Sequence, residues 1–361
     1  MSPARPTEAA NSLSEGHGRR PEGAPLSDPL VEVRNLRVTF LGGRRPVQAV
    51  NGVDLRVRRG EVVALIGESG SGKSVTLRSL LRLHPAQRTR IEGEVRVAGQ
   101  DVLALAPGAL AGYRGKVAAM IFQEPLLALD PVYTVGAQIV EAILRHEPGG
   151  RAAARERALK LFERVRIPSP QQRLDAYPHE MSGGMRQRAM IALALACRPQ
   201  LLLADEPTTA LDATVQIQIL LLLRELQREL GLSVIFVTHD IGAAVEVADR
   251  IAVMYAGRIV EEGPVASLLR SPRHPYTLAL LRSRADGALA RGVRLDTIAG
   301  SPPDLTALPA GCAFAERCLL AQPRCRQAQP EVERVAPDHT VRCLRLNELA
   351  LTAREREAEP G

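Results

Sequence analysis

One stretch of this 361-residue chain decides its fold: residues 62–74, VVALIGESGSGKS. The part from Gly67 to Ser74 matches the pattern G-x-x-x-x-G-K-[ST] at every position. The apolar run before it, bounded by glycines, is typical of a strand buried on both faces of a parallel sheet. The run after it, SVTLRSLLRL, is typical of a helix. The sequence therefore predicts a phosphate-binding loop between a buried strand and a helix.

Such a loop predicts a nucleotide site. Its glycines let the backbone curl so that N–H groups point at phosphates, and the helix N-terminus adds partial positive charge. We expect Lys73 to reach the β- and γ-phosphates of ATP and Ser74 to bind Mg²⁺. The residues expected to contact ATP here are Gly67, Glu68, Ser69, Gly70, Ser71, Gly72, Lys73, Ser74 and Val75.

Two acids end a second apolar strand candidate, residues 200–204. In P-loop enzymes an aspartate at the carboxyl end of this strand holds Mg²⁺, and ligands gather at that edge of an open α/β sheet. We expect Asp205 to hold Mg²⁺ through water, and Glu206 to polarise the attacking water as a general base. Two exposed carboxylates ending a strand are the simpler interpretation, but Lys73 supplies the other half of a catalytic site.

The rest of the chain is compatible with one large α/β domain and an appendage. Its 45% apolar and 24% charged residues are those of a globular protein, and its apolar runs are far shorter than a bilayer span. The net charge of +7 is scattered, which favours solvated faces over a nucleic-acid surface. Strand patterns alternate with helical ones, such as residues 151–167 and 214–230, and this predicts a mostly parallel sheet.

Four further motifs carry a family resemblance. Residues 182–188, SGGMRQR, resemble the ABC signature, usually LSGGQ, although Met185 stands where Gln is usual. Gln123 in IFQEP resembles the Q-loop glutamine, residues 210–212 (ALD) resemble the D-loop, and His239 in VTHD resembles the switch histidine. In combination these motifs are specific, and the chain resembles the ATP-binding subunits of ABC transporters over roughly residues 30–345.

The resemblance implies an α/β P-loop NTPase of ABC type. Its fold would have a mostly parallel sheet core, an antiparallel β edge and a helical signature subdomain, followed here by a small cysteine-containing extension. We therefore expect a disordered tail over residues 1–28, a nucleotide-binding domain over 29–262 with its helical part at about 124–195, the extension over 263–346 and a flexible tail over 347–361.

The resemblance also assigns roles to single residues. It implies that Gln123 contacts Mg²⁺ or the attacking water, and that His239 contacts the γ-phosphate. Phe40 fits the aromatic that stacks on adenine, but it fits a strand core residue equally well. The family works as a head-to-tail dimer, so the residues expected to act on ATP held by a partner subunit are Ser182, Gly183, Gly184 and Asp212.

Longer stretches resemble one branch of the family, the dipeptide/oligopeptide (peptide/nickel) importers. They include YPHEMSGGMRQR at the signature, HPYTLALLRS at residues 274–283 and much of the C-terminal part. This implies two transmembrane permease subunits, a second ATP-binding subunit that is a homologue, and an extracytoplasmic substrate-binding protein. It also implies a peripheral position on the cytoplasmic face of the inner membrane.

Four cysteines cluster near the C-terminus with the spacing C-x5-C-x6-C-x17-C: Cys312, Cys318, Cys325 and Cys343. Four thiolates can hold a zinc ion or an iron–sulfur cluster. The wide gaps and the branch resemblance favour a [4Fe–4S] cluster, with zinc as the alternative and four unligated cysteines as the third interpretation. Such a centre would staple a Pro-rich extension that has little core of its own.

Another class of function stays open at this point: a soluble ABC ATPase that acts on nucleic acid and carries a zinc-binding C-terminal module. The single P-loop, and the absence of sustained heptads in the 108 residues between Lys73 and Ser182, argue against it. We therefore expect no nucleic-acid partner. A nucleotide-binding scaffold without turnover is disfavoured because Lys73, Asp205, Glu206 and His239 are all present.

Overall fold

The structure, a computed structural model, describes residues 29–209, 211–285 and 298–346. The tails expected over residues 1–28 and 347–361 lie outside the described residues.

The strands of the described part form two sheets. In chain order they are β1 (Val31–Phe40), β2 (Val47–Val57), β3 (Val62–Ile66), β4 (Thr89–Val97), β5 (Gln100–Asp101), β6 (Ala118–Ile121), β7 (Leu201–Asp205), β8 (Ser233–Thr238), β9 (Arg250–Tyr255), β10 (Arg258–Pro264), β11 (Glu333–Ala336) and β12 (His339–Val341).

The helices lie between and after these strands. They are α1 (Lys73–Ser79), α2 (Pro107–Lys116), α3 (Pro125–Ala128), α4 (Val135–His146), α5 (Arg151–Arg164), α6 (Pro170–Leu174), α7 (Gly183–Leu195), α8 (Ala213–Leu230), α9 (Ile241–Val247), α10 (Val265–Arg270), α11 (Pro275–Ala285) and α12 (Pro323–Gln327).

The larger sheet has the strand order β11-β12-β10-β9-β3-β8-β7-β6. Strands β9, β3, β8, β7 and β6 run parallel, and β10, β12 and β11 extend the sheet as antiparallel strands. The predicted mostly parallel sheet with an antiparallel part is therefore confirmed.

Strand β3 shows why its sequence is apolar throughout. Because successive side chains point to opposite faces, Val62, Ala64 and Ile66 pack in one core, and Val63 and Leu65 in the other. The first core lies between this sheet and helices α4, α5, α7, α8 and α9. The second core lies between this sheet and the smaller antiparallel sheet, whose order is β2-β1-β4-β5. The central strand is thus fixed from both sides, which gives the loop after it a rigid base.

Helices α3–α7 occupy residues 125–195, the region expected to be helical. Phe162 on α5 is fully buried and belongs to the core under the helices. The long helix α8 ends as predicted at Gly231, whose φ of 64° is the left-handed conformation that glycine adopts readily.

The C-terminal part joins the same sheet as the nucleotide-binding part. In β12, Val341 pairs with Glu261 of β10, and Thr340 pairs with Glu262. The backbone N–H of Gln48, in β2, also donates to the carbonyl of Leu305 at 3.0 Å. Strands from both sides of residue 262 therefore belong to one hydrogen-bonded sheet. The domain boundary between residues 262 and 263 stays a prediction.

Candidate functional site

The site lies at the carboxyl ends of four adjacent parallel strands. The loop 67–72 follows β3, His239 follows β8, Asp205 and Glu206 end β7, and Gln123 follows β6. Residues separated by up to 172 positions in sequence, from Gly67 to His239, thus meet at one edge of the sheet, where α/β folds bind their ligands.

The P-loop is held in a shape that requires glycine. Gly72 has a φ of 100°, and a Cβ added there would lie 2.4 Å from the carbonyl oxygen of Ala49. Helix α1 begins at the next residue, so its first N–H groups face the loop. The Nζ of Lys73 donates to the carbonyls of Gly67 at 2.8 Å and Glu68 at 2.9 Å. Burial lowers the pKa of this ammonium.

The predicted magnesium ligands Ser74 and Asp205 lie side by side. The Ser74 hydroxyl donates to the Asp205 carboxylate at 2.6 Å, and Arg78 lies 3.4 Å from the other carboxylate oxygen. Asp205 is fully buried, and this burial raises its pKa. A hydroxyl and a carboxylate this close are the hard oxygen donors that Mg²⁺ prefers, so the residues fit the ion.

Glu206 is the centre of a small polar cluster. Its Oε2 lies 3.4 Å from Nε2 of Gln123, 3.0 Å from the hydroxyl of Thr209 and 3.3 Å from Nδ1 of His239. Its φ of 45° is left-handed, a conformation that costs a non-glycine residue about 1–2 kcal/mol. The backbone N–H of Glu206 donates to Val237 in β8, which holds this conformation.

Phe40 lies at the end of β1, partly buried beside the core between the sheets. Its ring meets that of His84 edge to face, with centroids 5.4 Å apart. His84 in turn lies 3.0 Å from the carbonyl oxygen of Val75. The structure therefore places Phe40 near the first turn of α1, and its role toward adenine stays a prediction.

The signature residues form a second group. Ser182 is the N-cap of α7 and accepts from the N–H of Met185 at 3.3 Å. Asp212 is the N-cap of α8 and accepts from the N–H of Val215 at 3.0 Å. A Cβ added to Gly184 would lie 3.0 Å from the Val215 side chain, so these two helix starts pack together.

The four clustered cysteines line one small cavity of about 20 Å³, together with His274 and Phe314. Burial raises the pKa of three thiols, and that of Cys343 reaches about 12. No group of three or more His, Cys, Asp or Glu side chains within residues 29–209, 211–285 and 298–346 is arranged to hold a metal ion. The thiols thus share a site, but the iron–sulfur or zinc centre stays a prediction.

Sequence reasoning missed several residues of the site. Thr209 and Arg78 contact the two acids, and both lie within a few residues of a motif, where a search of the flanks could have found them. Tyr276 and Arg317 contact the P-loop residue Glu68 from positions 208 and 249 residues away, for which no local pattern exists.

Among the helices that the structure describes, none is both long and apolar enough to cross a membrane.

Comparison with known proteins agrees with this geometry. The ABC transporter family matches residues 50–209, and the C-terminal region of oligopeptide/dipeptide transporters matches residues 260–325. The chain resembles the fold of a dimeric ATP-binding cassette in a post-hydrolysis state bound to ADP and Pi. The TM-score is 0.58 at 31% identity, covering 65% of this chain and 98% of that one.

Relatives of similar length are closer in sequence. A probable peptide ABC transporter ATP-binding protein of Sinorhizobium fredii is 48% identical over 331 residues, covering 91% of this chain and 99% of that protein. The oligopeptide transport ATP-binding protein OppD of Bacillus subtilis is 46% identical, covering 87% and 88%. These relatives give no support to the nucleic-acid interpretation, and the family resemblance is confirmed. The chain belongs to the ABC transporter family, among the ATP-binding subunits of the peptide-transporter type.

Proposed function

We propose that this chain is the ATP-hydrolysing subunit of an ABC importer that takes up dipeptides, oligopeptides or a related small solute across the cytoplasmic membrane. The observation that carries the proposal is the convergence of Lys73, Ser74, Asp205, Glu206 and His239 at one sheet edge. The similarity to peptide-transport ATP-binding proteins over most of the chain supports the solute class.

Each residue at this edge has a part in hydrolysis. The loop 67–72 and Val75 cradle the phosphates of ATP, and Lys73 exchanges its contacts with the carbonyls of Gly67 and Glu68 for contacts with phosphate oxygens. Ser74 and Asp205, with Gln123 nearby, are the residues that would hold Mg²⁺. When bound, the ion neutralises charge on the transferred phosphate.

Glu206 takes the proton of the attacking water. The Thr209 hydroxyl and the Gln123 amide both contact Oε2 of Glu206, and these contacts fix the orientation of its carboxylate. The His239 side chain is 65% exposed and lies 3.3 Å from Glu206, at the rim of the site, where it can contact the γ-phosphate. Phe40 is the residue we assign to adenine.

A second ATP-binding subunit, a homologue of this chain, completes each site. In a head-to-tail dimer Ser182–Gly184 and Asp212 face the ATP held by the partner, and the N–H groups at the start of α7 suit an anion. The fold neighbour that is described as a dimer with ADP and Pi supports this arrangement.

The remaining partners are two transmembrane permease subunits and an extracytoplasmic substrate-binding protein that acts through them. The chain would lie peripherally on the cytoplasmic face of the membrane. Its parts are a nucleotide-binding domain over residues 29–262 and a peptide-importer extension over 263–346.

The test of the function is substitution of the general base. Glu206→Gln is expected to abolish steady-state ATP hydrolysis and peptide uptake by the reconstituted complex while MgATP still binds. Glu225→Gln, which makes the same change at an exposed position of α8, is the control and should leave both rates unchanged. Unchanged turnover in Glu206→Gln would remove Glu206 from the base role.

For the extension we propose that Cys312, Cys318, Cys325 and Cys343 hold a [4Fe–4S] cluster, with zinc as the alternative. Their shared cavity supports this proposal, because four thiolate ligands must surround a single centre. The centre would be structural or regulatory and would take no part in ATP hydrolysis. Iron and zinc analysis with a visible spectrum of anaerobically purified protein decides between the metals, and metal-free protein that is folded and active would refute both.

A further inference from the structure

A buried arginine of the C-terminal extension contacts the P-loop. Arg317 ends the 3₁₀ turn Ala315–Arg317, one residue before Cys318. Its Nη1 donates to Oε2 of Glu68 at 2.6 Å, and its Nη2 donates to Oε1 at 2.9 Å. This is a bidentate ion pair between residues that lie 249 positions apart in sequence. Its acidic residue, Glu68, is the second residue of the loop GESGSGKS.

The arginine is fixed on every side. Only 4% of its side chain is exposed, and its other donors reach the hydroxyl of Tyr255 and the carbonyls of Ala299 and Ile298. The guanidinium also lies within 6 Å of the ring centres of Tyr255 and Phe314. With five hydrogen bonds, all its N–H donors are used, so Arg317 can hold Glu68 in one position.

Glu68 is held at three points at once. Arg317 binds its carboxylate, and the hydroxyl of Tyr276 accepts from its backbone N–H at 2.8 Å. Its backbone carbonyl accepts from the Nζ of Lys73 at 2.9 Å. A shift of Glu68 therefore moves the loop backbone that must surround the phosphates.

We propose that Arg317 is a positioning residue for ATP binding: it fixes Glu68, and through Glu68 the backbone of the P-loop. The two-pronged contact is stronger and more directional than a lysine would make. The extension is then part of the nucleotide site of its own chain. The proposal rests on ATP binding at this P-loop, which the wild-type protein tests separately.

The experiment measures MgATP affinity and hydrolysis of the full chain by competition with a fluorescent ATP analogue and by phosphate release. Arg317→Ala is expected to raise Kd and KM for ATP by about tenfold, within the usual range of coupling between sites. The kcat should change much less, because Arg317 contacts neither Glu206 nor His239 within the described residues. Arg326→Ala is the matched control, since Arg326 pairs with the exposed Glu316 in the same extension.

A double-mutant cycle separates positioning from general stability. In a Glu68→Ala background, Arg317→Ala should raise Kd no further, because its route to the loop is gone. An equal loss in both backgrounds, or a Kd within twofold of wild type for a folded Arg317→Ala, overturns the proposal. If Arg317→Ala does not fold, Glu68→Gln replaces it, because glutamine keeps the side-chain shape but removes the charge pair with Arg317. Glu68→Gln should then raise the KM for ATP as expected for Arg317→Ala. A wild-type affinity for ATP in Glu68→Gln would overturn the proposal.

Discussion

The joint between the nucleotide-binding part and the extension depends on one buried acid, and Glu261→Gln tests this. Glu261 lies on β10 and is fully buried. Its Oε1 accepts from the backbone N–H of Arg273 at 2.7 Å and from Nε2 of His339 at 2.8 Å, and its Oε2 accepts from the N–H of His274 at 2.9 Å. Two other segments of the chain, residues 273–274 and residue 339, therefore converge on this side chain.

The size of the stability loss in Glu261→Gln depends on how many hydrogen bonds an amide can accept. Glutamine keeps a single acceptor oxygen, so its best orientation retains the two contacts of Oε1 and turns its NH₂ toward the N–H of His274. At least one buried donor then has no acceptor, which costs about 1–3 kcal/mol. The two retained bonds also lose the assistance of a charge. We expect the free energy of unfolding to fall by about 2–4 kcal/mol.

Urea unfolding of the full chain, followed by circular dichroism, measures this loss. Glu333→Gln on strand β11 of the same sheet is the control, because Glu333 is exposed and its replacement should change stability by less than about 0.5 kcal/mol. If Glu261→Gln unfolds at the same urea concentration as Glu333→Gln, the reasoning about this joint is wrong.

Three other predictions concern the nucleotide site. Gly72→Ala should destabilise the chain by about 3 kcal/mol or more, because its Cβ would meet the carbonyl of Ala49. Gly70→Ala should cost only about 1–2 kcal/mol, because nothing lies within 4 Å of the added Cβ. Equal losses of stability in urea unfolding would contradict this difference. Because burial raises the pKa of Asp205, its contribution to stability is full at low pH and falls as pH rises through the folded pKa. Asp205→Asn should therefore raise the melting temperature of the nucleotide-free protein at pH 7. It should also remove the further rise that MgATP gives. A lower melting temperature in the nucleotide-free variant would show that the Asp205 carboxylate stabilises the fold at pH 7, contrary to this prediction. Asp212→Ala should cost about 1 kcal/mol through loss of the α8 cap, and Asp212→Asn should not.

The motifs of the nucleotide site could be predicted because each one is local. Strand β3, its loop and α1 are read from one continuous stretch, and the acids after β7 follow the same logic. Their meeting point followed from the general rule that parallel strands present their carboxyl ends at one edge. The contacts of Glu206 with Gln123 and His239 agree with that expectation.

The role of the extension could not be predicted in the same way. Strand β12 is only three residues long, and its pairing with β10 depends on two residue pairs that no periodicity shows. The contact of Arg317 with Glu68 joins two ordinary charged residues far apart in sequence. Composition and spacing indicate a cysteine site at Cys312–Cys343 but not the element against which it packs.

The late position of β12 in the chain has a consequence for biosynthesis. About 75 residues separate the end of β10 from the start of β12, and ribosomes add roughly 5–20 residues per second. For about 4–15 seconds the nascent subunit therefore presents β10 as an open edge. During this time Glu261 lacks one of its three hydrogen-bond donors, His339. An open edge can pair with another chain, so this interval is one in which the nascent polypeptide is exposed to aggregation.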